Sequence, residues 1–317
     1  MIDNLSISNF TDLITSKEQT RAGFINFALK KNELSNPFVN EAKTLKVFAS
    51  RAKTPKELAN IEQIHSGLVT ASGLSDKSLI YLTDYDIQNA INNLIEKFLE
   101  PEGEFFVDAL VYRYLLIRGD TLGGTMRNYV GAFAQQKLIR TLISNLYIMG
   151  IPFLWTDNAK QKEWTKGLTT DNVEISAKFI YWQYEGKDRL LGFNLTVPIV
   201  KKNVDICLFD ACPEDLKSKD FLAHNEKFLM LGELKGGIDP AGADEHWKTG
   251  NSALDQIRKS FHKAGYPAIP TSFIAAAIEK SMAEEIYEQI QNKTLSYASN
   301  LTVDEQLVNY CEWIIKF

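Results

Sequence analysis

The stretches Asn203-Val-Asp-Ile-Cys-Leu-Phe209 and Phe228-Leu-Met-Leu-Gly-Glu-Leu-Lys235 are short apolar runs that carry charges where a buried strand should have none. Residues i and i+2 of a strand point to the same side, so Glu233 and Lys235 share one face about 7 Å apart. If the two runs pair in one sheet, Asp205 can lie on the neighbouring strand, about 5 Å away. These positions predict that two carboxylates and an ammonium group converge on a rigid sheet.

The pattern Glu-x-Lys is weak by itself, because it occurs three times in the chain, at Glu41, Glu185 and Glu233. Glu41 lies in a polar, helix-like stretch, and residues 185–187 separate two aromatic-rich runs in the manner of a hairpin turn. Only the pattern at Glu233 ends an apolar strand that has a second strand with an embedded aspartate just upstream. The alternative interpretation is a structural ion pair at a strand end.

Composition indicates a globular protein with a large core. The chain has 317 residues, of which 45% are hydrophobic, so we expect two domains or one elaborated domain. Its three cysteines are too few and too scattered for a disulfide framework or a zinc site. No uninterrupted apolar run approaches the roughly 20 residues of a membrane span. We therefore expect no membrane association and a reducing, cytoplasmic setting.

Charge is distributed unevenly along the chain. The net charge is −5, yet residues 21–56 hold eight basic residues against two acidic ones. A focused positive segment can bind phosphate groups while the acidic remainder keeps the protein soluble, and Lys53 and Lys56 are candidates for contacts with DNA phosphates. An ordinary solvated helix face explains this segment equally well.

The first 120 residues or so read as helices. The apolar residues of 87–98 follow the i, i+3, i+4 spacing of a core-facing helix, which Thr83-Asp84 would cap. A second helix is predicted over 105–117, ending at Arg118-Gly119, and a third over about 127–149.

The pattern changes in the second half. Apolar residues at every second position of 191–199 predict a half-buried strand, with Pro198 marking an edge or a bulge. A helix is predicted to open at Asp244, and residues 281–284 and 302–305 fit capping boxes before the last two helices. We therefore predict an α/β protein with a mainly helical domain over 1–125 and a mixed sheet flanked by helices over 126–317.

The charged strands suit phosphodiester chemistry. Asp205 and Glu233 would bind Mg²⁺, which prefers hard oxygen ligands. Without a cation, two carboxylates about 5 Å apart repel by roughly 3 kcal/mol at an effective dielectric constant near 20. The two carboxylates would also repel a phosphate, whereas a bound cation would attract it and activate water. Lys235 can hold the attacking water and neutralise the same phosphate.

His246 is a fourth candidate for the site. It would lie just inside the helix that we predict to open at Asp244, off the apolar stripe that includes Trp247. A helix N-terminus disfavours imidazolium, which would keep His246 available as a neutral general base. The alternative is a solvated histidine at a helix start.

Longer motifs extend these observations across nearly the whole chain. The segments Val200–Phe209 and Leu231–Thr249, with Arg21-Ala-Gly-Phe24, Leu122–Asn128 and Ala276–Glu285, resemble the AvaI/BsoBI family of type II restriction endonucleases. Within this resemblance, the segment over 231–249 is long enough to be highly specific. One departure from the broader superfamily is Val204, where a proline precedes the aspartate elsewhere; only the carboxylate would coordinate metal, so the chemistry is unaffected.

The resemblance implies a bacterial homodimer that encloses duplex DNA, built from a helical domain and a PD-(D/E)xK catalytic domain. It implies Mg²⁺-dependent cleavage of the degenerate palindrome CYCGRG after the first C. Asp205, Glu233 and Lys235 match the catalytic positions and His246 the general base. The positions of Lys202, Asp239 and Lys77 match residues that read bases; lysine donates to guanine acceptors and aspartate accepts from the cytosine amine.

Two alternatives stay open at this point. A repair or junction-resolving nuclease would use the same chemistry, but it would need ends, branches or damage in its substrate. A non-catalytic DNA-binding protein, in which Glu233 and Lys235 merely pair, would not cleave DNA with Mg²⁺.

Overall fold

The computed structural model describes residues 7–157, 163–167 and 173–317. The α-helices within this part of the chain are α1 Lys17–Ala49, α2 His65–Ala71, α3 Asp76–Leu79, α4 Asp84–Leu94, α5 Phe106–Ile148, α6 Val173–Ser176, α7 Pro240–Lys263, α8 Lys280–Gln291 and α9 Asp304–Ile315. The strands are β1 Phe153–Asp157, β2 Thr165–Lys166, β3 Ala177–Tyr184, β4 Lys187–Val197, β5 Lys202–Phe209, β6 Phe228–Lys235, β7 Thr271–Ala275 and β8 Tyr297–Asn300. Short 3₁₀ helices and one π-helical turn, Ile95–Leu99, join several of them.

The described chain forms two compact units. The helical unit comprises residues 25–128, and the sheet unit comprises the chain up to Phe24 together with 129–317. The N-terminal segment belongs to the sheet unit through Thr15, whose backbone N–H donates to the carbonyl of Ile278 at 3.0 Å. The domain boundary that we place at residue 125 stays a prediction.

The helical unit has a core of its own. Buried apolar residues from α1, α2, α4 and α5 pack together, including Leu45, Leu68, Leu94 and Leu110. α4 begins after Thr83, whose side chain accepts from the N–H of Asp86, as the sequence predicts. This cap fixes the start of the helix because it satisfies an N–H group that has no partner within the helix.

α5 corrects the prediction of two separate helices over 105–149. It runs without interruption over the 43 residues Phe106–Ile148, straight through Arg118-Gly119. Glycine in a helix interior costs only about 1 kcal/mol relative to alanine. Buried residues on both sides of that point, such as Tyr114 and Leu122, outweigh this cost. Gly150, with φ of 69°, ends the helical run, in agreement with the end predicted near residue 149.

The strands of the sheet unit form one mixed sheet in the order β2-β1-β3-β4-β5-β6-β7-β8. The pairs from β2 to β6 are antiparallel, whereas β6, β7 and β8 run parallel. The hairpin predicted at residues 185–187 is confirmed, since Glu185 and Gly186 adopt φ angles of 50° and 75° between β3 and β4. The mixed α/β architecture predicted from sequence is therefore confirmed.

Helices cover both faces of the sheet. Trp247, Leu254 and Phe261 of α7 and Ile286 of α8 pack on one face, which we call the α7 face. Leu138, Leu142 and Leu146 of α5 pack with Leu307 and Ile314 of α9 on the other, the α5 face. The central strands are thus buried on both sides, which explains their nearly continuous apolar sequence.

The alternation predicted for residues 191–199 is wrong in one respect. Leu191 and Phe193 belong to the α5 face, whereas Leu195 and Val197 belong to the α7 face, so the strand changes phase at Asn194. β4 is also a central strand rather than an edge, and Pro198 follows its last residue.

The same change of phase occurs in both neighbouring strands. Ala177 and Phe179 of β3 lie on opposite faces, and Lys178 between them is skipped in the pairing with β1. Val204 and Ile206 of β5 also lie on opposite faces. We call the row formed by Lys178, Asn194 and Asp205 the phase break.

Three helix starts differ from prediction. α7 begins at Pro240 rather than at Asp244, because Asp239 caps it by accepting from the N–H of Ala241 at 3.0 Å. The capping boxes predicted at 281–284 and 302–305 are wrong, since α8 and α9 start after Glu279 and Val303 without a side-chain cap. The hydroxyl of Thr302 instead donates to Asn300 at 2.6 Å.

None of the described helices is both long and apolar enough to cross a membrane.

Candidate active site

Asp205, Glu233 and Lys235 lie together at the ends of β5 and β6. Lys235 Nζ is 2.6 Å from Glu233 Oε2 and 3.6 Å from Asp205 Oδ2. The pairing of Ile206 with Gly232 places Asp205 opposite Glu233 one step further along the two strands. The convergence predicted from spacing is therefore present in the structure.

Glu233 is the buried member of the group. Its side chain is only 6% exposed, against 23% for Lys235 and 25% for Asp205. Burial, followed by the neighbouring charge of Asp205, raises the pKa of Glu233 to about 7, although Lys235 acts in the opposite direction. Near neutral pH this carboxyl group is therefore only partly ionised in the metal-free protein, and pKa shifts of this kind are common for groups at functional sites.

Lys235 responds to the same surroundings. Burial acts to lower its pKa, but the charges of Glu233 and Asp205 outweigh burial, and the net direction is upward. The ammonium group therefore stays charged at neutral pH. Two carboxylates and one ammonium group leave an excess of negative charge when both acids are ionised, and this excess favours a cation.

Asp205 is held by the backbone of the neighbouring strand. Its Oδ2 accepts a hydrogen bond from the N–H of Leu234 at 2.9 Å. This bond fixes the carboxylate between the two charged residues of β6, and the sequence pattern gave no sign of it.

The glycine pair after β6 packs tightly between two helices. A Cβ at Gly236 would come closer than 3.0 Å to the backbone oxygen of Val130 in α5, and one at Gly237 closer than 3.0 Å to the ring of His246. At Gly236 the neighbour is backbone, so only glycine allows this approach, whereas at Gly237 the neighbour is the side chain of His246. The sequence signal for this packing is the Gly-Gly directly after the charged strand.

His246 lies over Gly237, two residues beyond Lys235. Because α7 begins at Pro240, His246 is in the second turn rather than at the helix start, so the effect of the helix N-terminus on it is smaller than predicted. Its ring is partly exposed. Its role as a general base stays a prediction.

The predicted base-reading residues of the sheet unit are exposed. Lys202 is the first residue of β5, three positions before Asp205, and Asp239 caps α7 four positions after Lys235. A carboxylate accepts several hydrogen bonds, so the cap leaves Asp239 able to accept another.

Lys77, Lys53 and Lys56 belong to the helical unit and are exposed. Lys77 lies in α3, and Lys56 forms a surface ion pair with Glu100 at 3.4 Å. Exposed pairs of this kind contribute little to stability, so Lys56 could exchange its partner for a phosphate at small cost.

The donor set fits a hard divalent cation. Asp205 and Glu233 provide carboxylate oxygens from two adjacent strands, and such oxygens with added water suit Mg²⁺. Among the described residues there is no cluster of three or more His, Cys, Asp or Glu side chains that could hold a metal ion. A cation here would therefore complete its coordination with backbone oxygens, water or substrate.

Comparison with known proteins gives a consistent result. A family model described as "Restriction endonuclease BsobI" matches residues 4–317. The chain is 53% identical over 312 residues to the type II restriction enzyme BsoBI of Geobacillus stearothermophilus, covering 98% of this chain and 96% of that protein. It is 44% identical over 311 residues to the type II restriction enzyme AvaI of Anabaena variabilis, covering 98% of each chain. The matches include both strands that carry the candidate site, and the chain therefore belongs to the BsobI family of restriction endonucleases.

Proposed function

We propose that this protein is a type II restriction endonuclease that cuts double-stranded DNA at CYCGRG, after the first C, with Mg²⁺ as its cofactor. The observation that carries the proposal is the convergence of Asp205, Glu233 and Lys235 on adjacent strands in a member of a restriction endonuclease family. The sheet unit would then be a PD-(D/E)xK catalytic domain.

Asp205 and Glu233 would hold the cation, with Glu233 giving up the proton that its raised pKa allows it to bind near neutrality. Mg²⁺, when bound, would offset negative charge on the phosphate and lower the pKa of water. Lys235 would neutralise charge that develops on the scissile phosphate, because its ammonium group stays protonated between two carboxylates. His246 would accept the proton of the attacking water.

Sequence recognition would come from groups near the same strands. Lys202 would donate to guanine acceptors in the major groove, and Asp239 would accept from the amino group of cytosine. Lys77 would read a base from the helical unit, and Lys53 and Lys56 would contact phosphates, which positions the DNA without reading it. A palindromic site suits a homodimer, since a two-fold axis presents the same residues to both half-sites.

The decisive experiment is digestion of a plasmid of known sequence with Mg²⁺, followed by mapping of the fragment ends. We expect discrete fragments that end after the first C of CYCGRG sites, and no fragments from a Glu233→Gln control. Cleavage confined to branched or damaged DNA would favour a repair nuclease. A protein that binds the site yet never cuts it with Mg²⁺ would refute the proposal in favour of a DNA-binding protein.

A further inference from the structure

The phase break crosses three adjacent strands and ends at a residue of the candidate site. Its members are Lys178 on β3, Asn194 on β4 and Asp205 on β5. The pairs Phe193–Ile206 and Leu195–Val204 place Asn194 opposite Asp205. The backbones of β4 and β5 thus change phase together, at the same step of their shared ladder. Irregularities of this kind re-aim side chains and are common beside active sites.

Asn194 has a backbone conformation that strands rarely contain. Its φ angle is 50°, in the left-handed region, where asparagine is tolerated better than most residues other than glycine. Its side-chain amide donates to Gln135 of α5, which ties the strand to the covering helix.

Lys178 holds the two peptide carbonyls at this point. Its ammonium group donates to the carbonyl oxygen of Phe193 and, at 2.8 Å, to that of Asn194. The bond to Phe193 is partly buried, where a carbonyl is costly to leave unpaired, so the lysine stabilises the irregular backbone of β4. The ammonium group is thereby occupied within the protein rather than aimed at solvent.

The break has a consequence for Asp205. Pairs between β5 and β6 stop at Ile206–Gly232, so the N–H of Leu234, which would face Val204 in a continued ladder, is left to another acceptor. It donates to the carboxylate of Asp205 at 2.9 Å. The position of that carboxylate therefore depends on where the pairing between β5 and β6 ends.

We propose that Lys178 and Asn194 are positioning residues for Asp205: together they hold β4 in the broken phase that aligns the Asp205 carboxylate with Leu234 and Lys235. This inference rests on the proposed function, because it concerns a residue proposed to bind the cation. Neither residue touches the reacting atoms. Their effect passes through the β4–β5 ladder.

The test compares Asn194→Gly with Asn194→Ala. Both variants lose the amide bond to Gln135, but glycine adopts the left-handed conformation freely whereas alanine resists it. The metal-free readout is exchange of the Leu234 amide hydrogen, followed by NMR, which reports its bond to Asp205. The second readout is Mn²⁺ binding to the DNA-free protein, followed by electron paramagnetic resonance. Relative to the glycine variant, we expect the alanine variant to show about tenfold less protection of the Leu234 amide from exchange. We also expect it to bind Mn²⁺ about tenfold more weakly.

Glu185 provides a matched control. It has the same φ of 50°, but it lies in the exposed hairpin between β3 and β4. We expect Glu185→Ala to melt about 1–4 °C below Glu185→Gly, and we expect the same difference between the two variants at position 194. At position 185, however, Leu234 exchange and Mn²⁺ binding should not change. Equal losses in these two readouts at both positions would show a general loss of stability and overturn the proposal.

Lys178→Met tests the other member of the pair, since it keeps the apolar stem and removes the ammonium group. Faster Leu234 exchange with retained folding would support the proposal. If this variant does not fold, the Asn194 comparison decides. Parent-like Leu234 exchange in Asn194→Ala overturns the proposal in every case.

Failure of the proposed function has a different signature. If the parent binds no Mn²⁺ and Glu233→Gln still cuts DNA, the assigned catalytic site is wrong. Leu234 exchange needs neither metal nor DNA, so it would still report whether Lys178 and Asn194 hold Asp205 in place.

Discussion

Glu233 lies in the part of β6, over residues 230–234, where side chains alternate regularly between the two faces, whereas Asp205 lies where the alternation of its strand breaks. Glu233 is held by burial and by its ion pair with Lys235, and its pKa is raised to about 7. Asp205 is four times as exposed and is held by a hydrogen bond from the backbone of Leu234. One site therefore combines a carboxylate destabilised by burial with one fixed by backbone geometry. Such a pair would hold a cation in a defined place, and the cation would offset the repulsion between the two carboxylates.

The largest effect should come from removing either carboxylate. We expect Glu233→Ala and Asp205→Ala each to lower the cleavage rate by roughly 10⁴-fold or more, because the cation loses one of its two carboxylate ligands. Specific DNA binding measured with Ca²⁺ should stay detectable, since neither residue is proposed to read bases. If a variant still cuts at the parent rate, the substituted carboxylate does not belong to the catalytic site, and the two residues do not form a pair of metal ligands.

His246 belongs to the β6 side of the site through its contact with Gly237. If it is the general base, His246→Ala should lower the rate by about 10²–10³-fold and change the pH–rate profile under single-turnover conditions. Mn²⁺ binding to the DNA-free protein should match the parent, which separates proton transfer from metal binding. His262, late in the same helix, is a control, and His262→Ala should cut normally. An unchanged profile for His246→Ala would make His246 a structural residue.

The raised pKa of Glu233 predicts a stability cost that depends on pH. Its unfolded-state pKa is 4.5 and its folded-state pKa about 7, so the stability it contributes is present below pH 4.5 and is lost as pH rises to 7. Glu233→Gln does not ionise. We therefore expect the free energy of unfolding of this variant, relative to that of the parent, to rise by roughly 2–3 kcal/mol between pH 4.5 and 7, with little further change above about pH 8.

Chemical denaturation of the metal-free protein at several pH values measures this difference. Asp205→Asn sharpens the comparison, because removing the neighbouring charge takes away one cause of the raised pKa of Glu233. The loss of stability should then occur over a lower pH range than in the parent. A difference between Glu233→Gln and the parent that is independent of pH would contradict the assignment.

The regular half of the site was readable from sequence and the irregular half was not. Period-two alternation placed Glu233 and Lys235 on one face, because β6 keeps its phase through the site. In β4 the apolar alternation continues through Asn194, yet Phe193 and Leu195 lie on opposite faces. A strand covered by helices on both sides has no polar face, so alternation cannot reveal a change of phase. An asparagine within an apolar run was the only sign.

The helix predictions failed for related reasons. Arg118-Gly119 predicts the end of a helix, but buried residues before and after it sustain α5. Ser281 and Thr302 matched a capping pattern, but the helix starts were set by other contacts, and Thr302 bonds to Asn300. Local propensity predicts an element well where packing does not compete with it, as at Thr83 of α4.

The smallest effect concerns the loop that leads away from β6. Gly23 of α1 allows Ile238 to pack closely, since a Cβ there would lie under 3.0 Å from that side chain. Gly23→Ala should destabilise the protein by about 1–3 kcal/mol through overpacking, offset by up to about 1 kcal/mol of helix propensity. Because Ile238 joins Gly237 to Asp239, we expect cleavage to slow several-fold.

Gly131→Ala is the matched control, because a Cβ at that helical glycine has nothing within 4 Å. It should melt at or above the parent temperature and cut normally. The double variant Gly23→Ala with Ile238→Ala removes the crowded side chain, so its loss of stability should be smaller than the sum of the two single losses. Strict additivity would show that the two residues do not press on each other. The close packing of Gly236 and Gly237 would then hold the loop after β6 without help from Gly23. The difference between Glu233 and Asp205 would in that case come from the burial of Glu233 and not from the packing of this loop.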